Sequence, residues 1–328
     1  MRPLRTTDFR LILILLVTAF ILPGCTGVLT SSQVKEVATF ADAAKAYVAF
    51  PGAVIRSHGQ LRASEKILQA STFTNGDAAL RQVDDAVNIR HGLDQSATAA
   101  DSALGVLNDY AALLVTLTAD TYTNDLQGSA ETLGSSIDSG IARYNDLRKT
   151  NLDSFGALVA AGVRGAGGIY IRHRQAEALK KAVISADPVI DAMISEVEKL
   201  LALYLSPDDL KDLKLTIIGP GTPPETLNLI RNVATDLRDT YKRIADNSGG
   251  KQCVEAALLT ADGLTSADNT IQLAVKALQA AETYRMAHRK LAENVTRRQW
   301  LRNSIDQVKA LVVEVNAANK TKKKIEAQ

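Results

Sequence analysis

Two long runs of this chain place apolar side chains at steps of mostly three and four residues, and that spacing limits the fold more than any other feature. From Ala78 to about Tyr122 the run carries Leu80, Val83, Val87, Leu93, Ala97, Ala100, Leu104, Leu107, Ala111 and Leu114. From about Gln252 to Asn319 it carries Leu258, Ala261, Leu264, Ala267, Ile271, Val275, Leu278, Ala281, Tyr284, Ala287, Leu291 and Val295. A period near 3.6 gathers such residues on one face of a helix, whereas a strand would scatter them over both faces. The predicted fold is therefore all-α, an elongated bundle of long antiparallel helices. About one residue in seven is Ala and only eight are Pro, which suits long helices packed closely through small side chains. The second run resembles a coiled-coil seam, with its partner expected in the same chain because comparable helices lie nearby. No fixed-period repeat is present, which argues against a solenoid.

Punctuation divides the rest. "TSSQ", Thr30 to Gln33, predicts a capping box that opens a helix running toward Ser71. Pro51 and Gly52 fall inside it, so a kink or short break is expected near Pro51. A turn at Asn75 and Gly76 starts the first long run. Gly128 to Asn151 is weaker, either a continuation of that helix or a shorter one. In "SADPVIDAM" Asp187 is expected to cap and Pro188 to open a new helix or a kinked continuation. "SPDD" at Ser206 and "TPPE" at Thr222 repeat the pattern of cap followed by proline. Leu215 to Gly221 is the one place allowed a short strand or extended loop, and "NSGG", Asn247 to Gly250, ends the helix that Thr222 starts.

Chemistry-bearing patterns are sparse. His58, His91, His173 and His288 are far apart, with no second ligand at metal spacing. No nucleophile elbow or phosphate loop occurs. Asp84 with Asp85, and Asp208 with Asp209, are neighbours that a helix turns about 100° apart, so they read as solvated or helix-start charges. The expectation is a protein without catalysis, cofactor or metal. A formal charge of +2 gives no reason to expect nucleic acid as a partner.

Two internal segments stand out. Ser154 to Ile171 is nearly uncharged and rich in glycine, with Gly156, Gly162, Gly165, Gly167 and Gly168 around a single Arg164. Glycine lowers helix propensity by about 1 kcal/mol relative to Ala. Close helix approach inside a bundle offsets that. Insertion into a membrane is the alternative, opposed by a central arginine that costs about 2.5 to 3.5 kcal/mol there. At the far end Lys320, Lys322, Lys323 and Lys324 form either a solvated tail or a contact for anionic surfaces, worth about 1 kcal/mol per residue at a membrane.

The N-terminus gives the most specific signal. Arg2, Arg5 and Arg10 precede an apolar core from Leu11 to Leu22 that is shorter than the ~20 residues of a membrane span. "ILPGC", Ile21 to Cys25, then resembles the lipobox of bacterial lipoprotein precursors. Leu22 stands three before the cysteine and Gly24 immediately before it, while Pro23 departs from the small or aliphatic residue that the family carries. The resemblance implies removal of residues 1–24 and lipidation of Cys25 by acyl chains such as palmitate. It also implies a short tether at 25–30, ahead of a helical body at 31–319 and a basic tail at 320–328. Thr26 resembles the sorting pattern for the periplasmic face of a bacterial outer membrane. Ordinary signal cleavage after Gly27 and a retained anchor stay open. With Cys25 lipidated, Cys253 has no partner for an internal disulfide and is expected to be a small buried side chain.

Together these readings describe a membrane-anchored helical envelope protein, a scaffold that binds an envelope protein or a second copy of itself. The alternatives are a pore-forming or membrane-remodelling protein using residues 154–171, and an envelope enzyme without a recognisable motif.

Overall fold

The computed structural model describes residues 30–119, 124–163, 171–213, 227–247, 249–295 and 303–327. Among them every regular element is an α-helix, so the all-α expectation holds. The helices are α1 (Ser31–Tyr47), α2 (Ala49–Ala70), α3 (Gly76–Leu117), α4 (Asn124–Arg148), α5 (Gly156–Val163), α6 (Ile171–Ala202), α7 (Pro207–Asp212), α8 (Leu229–Asn247), α9 (Lys251–Asn294) and α10 (Asn303–Glu326). The proposed lipobox, Cys25, the extended stretch at 215–221 and the cap at Thr222 lie outside the described residues.

Caps explain most of the starts. The Thr30 hydroxyl accepts from the Gln33 amide N–H at 3.3 Å, and the Thr30 N–H donates to Gln33 Oε1 at 2.7 Å, which completes the expected capping box. Asn75 caps α3 through Asp77 N–H at 2.8 Å. Ser206 and Asp209 form a second capping box on α7, with Pro207 at its first position. Asp209 also holds Arg231 of α8 at 2.8 Å. Asp84 and Asp85 are exposed, as expected of solvated charges.

The break expected near Pro51 is present, and of the two readings at Pro188 the structure takes the continued helix. The break falls at Val48, which puts Pro51 in the first turn of α2, where its missing N–H loses no intrahelical bond. Pro188 opens no helix, because α6 runs unbroken from Ile171 to Ala202 with the proline inside it. Asp187 accordingly is not a cap, and its carboxylate has another use described below. The weak stretch after Gly128 is part of a separate helix, α4, and the last long run is two helices, α9 and α10, packed on each other. The expected basic tail is helical: Lys320 to Glu326 are the last turns of α10.

The core is built around α9, which packs against α10, α6, α2 and α8, while α2 lies along α3. Two close approaches fix that last pair. A Cβ at Gly59 would meet Leu93, and one at Gly52 would fall 2.0 Å from Asp101 Oδ1, so Gly52 makes room for a carboxylate that Arg56 then holds. Pairing 59 with 93 and 52 with 101 runs the two helices in opposite directions. At about 1.5 Å per residue the 44-residue α9 spans about 66 Å. Among the described residues no helix is long and apolar enough to cross a membrane.

Candidate functional site

The helices bring together polar groups that lie far apart in the sequence. His288 of α9 is completely buried. Its Nδ1 lies 2.9 Å from Asp187 Oδ1 on α6, and its Nε2 lies 2.7 Å from the Tyr110 hydroxyl on α3. A neutral imidazole satisfies both: Nδ1–H donates to the carboxylate, and Nε2 accepts from the phenol. Burial pushes the His288 pKa below its ordinary value, with Asp187 pulling it part of the way back. The hydrogen bond from His288 holds Asp187 below the usual carboxylate range, and burial raises Tyr110 well above the usual phenol value. Phe40 and Phe155 stack around His288 and Tyr110, with ring centroids 5.7 and 6.0 Å away. This chain of three side chains has the bonding of a proton relay. Tyr110 and His288 are at most 1 % exposed, Asp187 keeps 34 % of its side chain accessible, and the arrangement specifies how α3, α6 and α9 dock. Sequence reading missed it because its members are separated by more than 70 residues. The available signal was His288 itself, a polar residue beside the apolar seam at Ala287 and Leu291.

A second buried group lies a few turns away. Glu198 of α6 stands 3.2 Å from Arg285, which also binds Glu282. Burial raises Glu198 to about 7 against the pull of Arg285. Glu36 of α1 is buried with no hydrogen-bond partner for either oxygen among the described residues, and burial raises it to about 7. Among the same residues His58 of α2 has both nitrogens unpartnered, and its ring lies 5.3 Å from Tyr204; burial lowers it to about 4, with the Arg62 charge adding to the shift. No group of three or more His, Cys, Asp or Glu side chains among the described residues is arranged to hold a metal ion.

The sequence-chosen residues fall in separate places. Gly156 opens α5 against α4: a Cβ there would lie 1.9 Å from the Gly134 carbonyl oxygen, so two backbones touch at this crossing. Asp138 of α4 accepts from the Gly156 and Ala157 amides at 2.6 and 2.8 Å and caps the short helix from outside it. Gly162 lies near the end of α5, whereas Arg164, Gly165, Gly167 and Gly168 are outside the described residues. Lys320, Lys322, Lys323 and Lys324 lie on α10. Lys322 Nζ is 2.8 Å from Glu326, and among the described residues no bond joins these lysines to α5. Cys253, expected to be buried, is half-buried, with Sγ 4.0 Å from the Tyr241 hydroxyl.

The apolar stripes bring the largest correction. Leu104, Leu107, Ala111 and Leu114 on α3, and Leu278, Ala281, Tyr284, Ala287 and Leu291 on α9, are buried as expected. At the other end of the same helices Leu80, Val83 and Val87 face solvent, as do Leu258 and Ala261. The reason is phase. Val87 to Leu93 is a step of six, and the side chains that turn inward before it are Gln82, Ala86 and Ile89. Ile67, Phe73, Val254 and Leu259 are exposed at the same end, where Gln252 donates to the Ser71 carbonyl at 3.1 Å and ties α9 to the end of α2. Leu158, Ile184, Met286 and Val313 are exposed on other helices or at the other end of α9, so it is the aligned run of Leu80, Val83 and Val87 on one helix face that has the form of an interaction surface.

Comparison with protein-family models, with curated proteins and with solved structures finds no match to this chain.

Proposed function

We propose that the chain is a lipid-anchored bacterial envelope lipoprotein whose elongated helical bundle acts as a binding scaffold without catalysis. Cys25 carries the acyl chains that hold it to the periplasmic face of an outer membrane, and three such chains are more than a stable anchor requires. The body then presents its apolar end to an envelope protein or to a second copy of itself. The anchor is supported by the basic, apolar and "ILPGC" order of residues 1–25. The single observation that carries the binding role is the outward stripe of Leu80, Val83 and Val87 on α3. The packed contact of Gly156 on Gly134 gives the glycine-rich segment a use within the bundle, which favours this reading over a pore.

The test is intact mass with membrane fractionation, comparing the native chain with Cys25→Ala. The expected result is a mature chain that begins at Cys25 with added acyl mass, both the mass and the membrane association being lost in the variant. An unmodified soluble chain that begins after Gly27 would remove the anchor from the proposal.

A further inference from the structure

A groove of about 520 Å³ lies where the end of α1 and the start of α2 meet α9 and the end of α10. Its size is within the ordinary range of small-molecule sites, about 300 to 1,000 Å³. The apolar wall is Val48, Ala49, Ala53 and Ile325 over the buried Leu273, and it exists because α2 presents alanines in its first turns, at 49 and 53. Charge is distributed unevenly around that wall. Arg56 and Asp101 hold each other, and Asp101 Oδ1 is buried against Gly52, so neither oxygen is open to a ligand. Among the described residues Lys322 is paired with the exposed Glu326 one turn on, an interaction weak enough for an incoming anion to displace. Lys45 lines the groove with no ion-pair partner among the described residues.

An apolar strip beside available ammonium groups complements one kind of ligand. A small inorganic anion would leave the strip wet, and a cation would meet Lys45 unpaired. We propose that this groove binds an anionic amphiphile, a carboxylate or phosphate on an aliphatic chain. The head lies between Lys45 and Lys322, and the chain lies along Val48, Ala49, Ala53 and Ile325. The site does not depend on lipidation of Cys25, so either proposal can fail without the other.

The experiment uses the full chain in phosphatidylcholine vesicles with a photoactivatable dodecanoate, and peptide mass mapping locates the label. Label is expected on the peptides that carry Val48 to Ala53 and Ile325. It should fall about tenfold in a Lys45→Ala, Lys322→Ala double variant, the loss that follows from removing charge-assisted bonds to the head. Lys45→Arg should retain it. Ala53→Phe, which fills the groove, should abolish it, and circular dichroism should show each variant folded. Competition by phosphatidylglycerol vesicles would assign a bilayer lipid as the natural occupant, and competition by free dodecanoate alone a soluble acid; both support the site. Equal labelling by the dodecyl ammonium analogue, label outside these peptides, or label unchanged in the double variant would overturn it.

Discussion

Both halves of α3 carry an apolar stripe, sparser in the N-terminal half, and only the C-terminal stripe is covered. Leu104 to Leu117 is sealed by α2, α4, α1 and α6, whereas Leu80, Val83 and Val87 face outward from a half that α2 flanks on its other side. The same contrast divides α9 between Val254 to Ala261 and Leu278 to Leu291. Hydrophobicity along a helix therefore reports which surfaces need a cover, and the neighbours decide whether the cover lies in the same chain.

Substitutions can sharpen or break that contrast. The largest loss is expected at Leu107→Ala, which removes a fully buried side chain; urea unfolding should show about 3 kcal/mol of destabilisation. Gly156→Ala tests a backbone crossing in place of a side-chain cavity. Its methyl has no room against the Gly134 carbonyl, so the unfolding midpoint should fall by an amount equivalent to about 2 kcal/mol, and α4 and α5 should lose amide protection first.

Glu36→Gln should do the opposite. Its folded pKa of about 7 lies above the ordinary 4.5, so burying the charge costs stability above pH 7, and that cost fades as pH falls through 7 toward 4.5. The variant should gain about 2 kcal/mol at pH 8 and nothing at pH 4. His58 has the opposite sign. Its pKa is lowered to about 4, so native stability is lost as pH falls from about 6.5 toward 4, and His58→Gln should flatten that part of the profile.

The smallest effect is expected at Val83→Lys and Val87→Lys, within about 0.5 kcal/mol by urea unfolding of the isolated chain. A loss as large as that of Leu107→Ala would mean the outer stripe is covered in solution and would end the contrast.

Much of the architecture was legible locally. Thr30 with Gln33, Asn75, and Ser206 with Pro207 signal helix starts through contacts within three residues. The inner halves of both stripes were equally plain. The outer halves were misassigned because a list of apolar residues hides a phase slip, and the slip at Val87 becomes visible only when Gln82 is found to face inward. Asp187 looked like a cap because Asp–Pro commonly opens a helix, and only a histidine some hundred residues away shows its actual use. The groove at Lys45 was invisible for the same reason, its lining coming from five helices.

The cap that Asp138 provides for α5 has a consequence for the order in which the chain folds. An eight-residue helix is too short to persist alone in water, since nucleation outweighs the few bonds it gains. Two of its leading amides are satisfied only by a carboxylate on α4, and its first residue fits only where Gly134 already lies. Helix α5 is thus a conditional element: α4 is the template, and the short helix crystallises onto it after α4 has formed. Because the two are neighbours in the chain, the loop to be closed is short, and this step is a fast, local one.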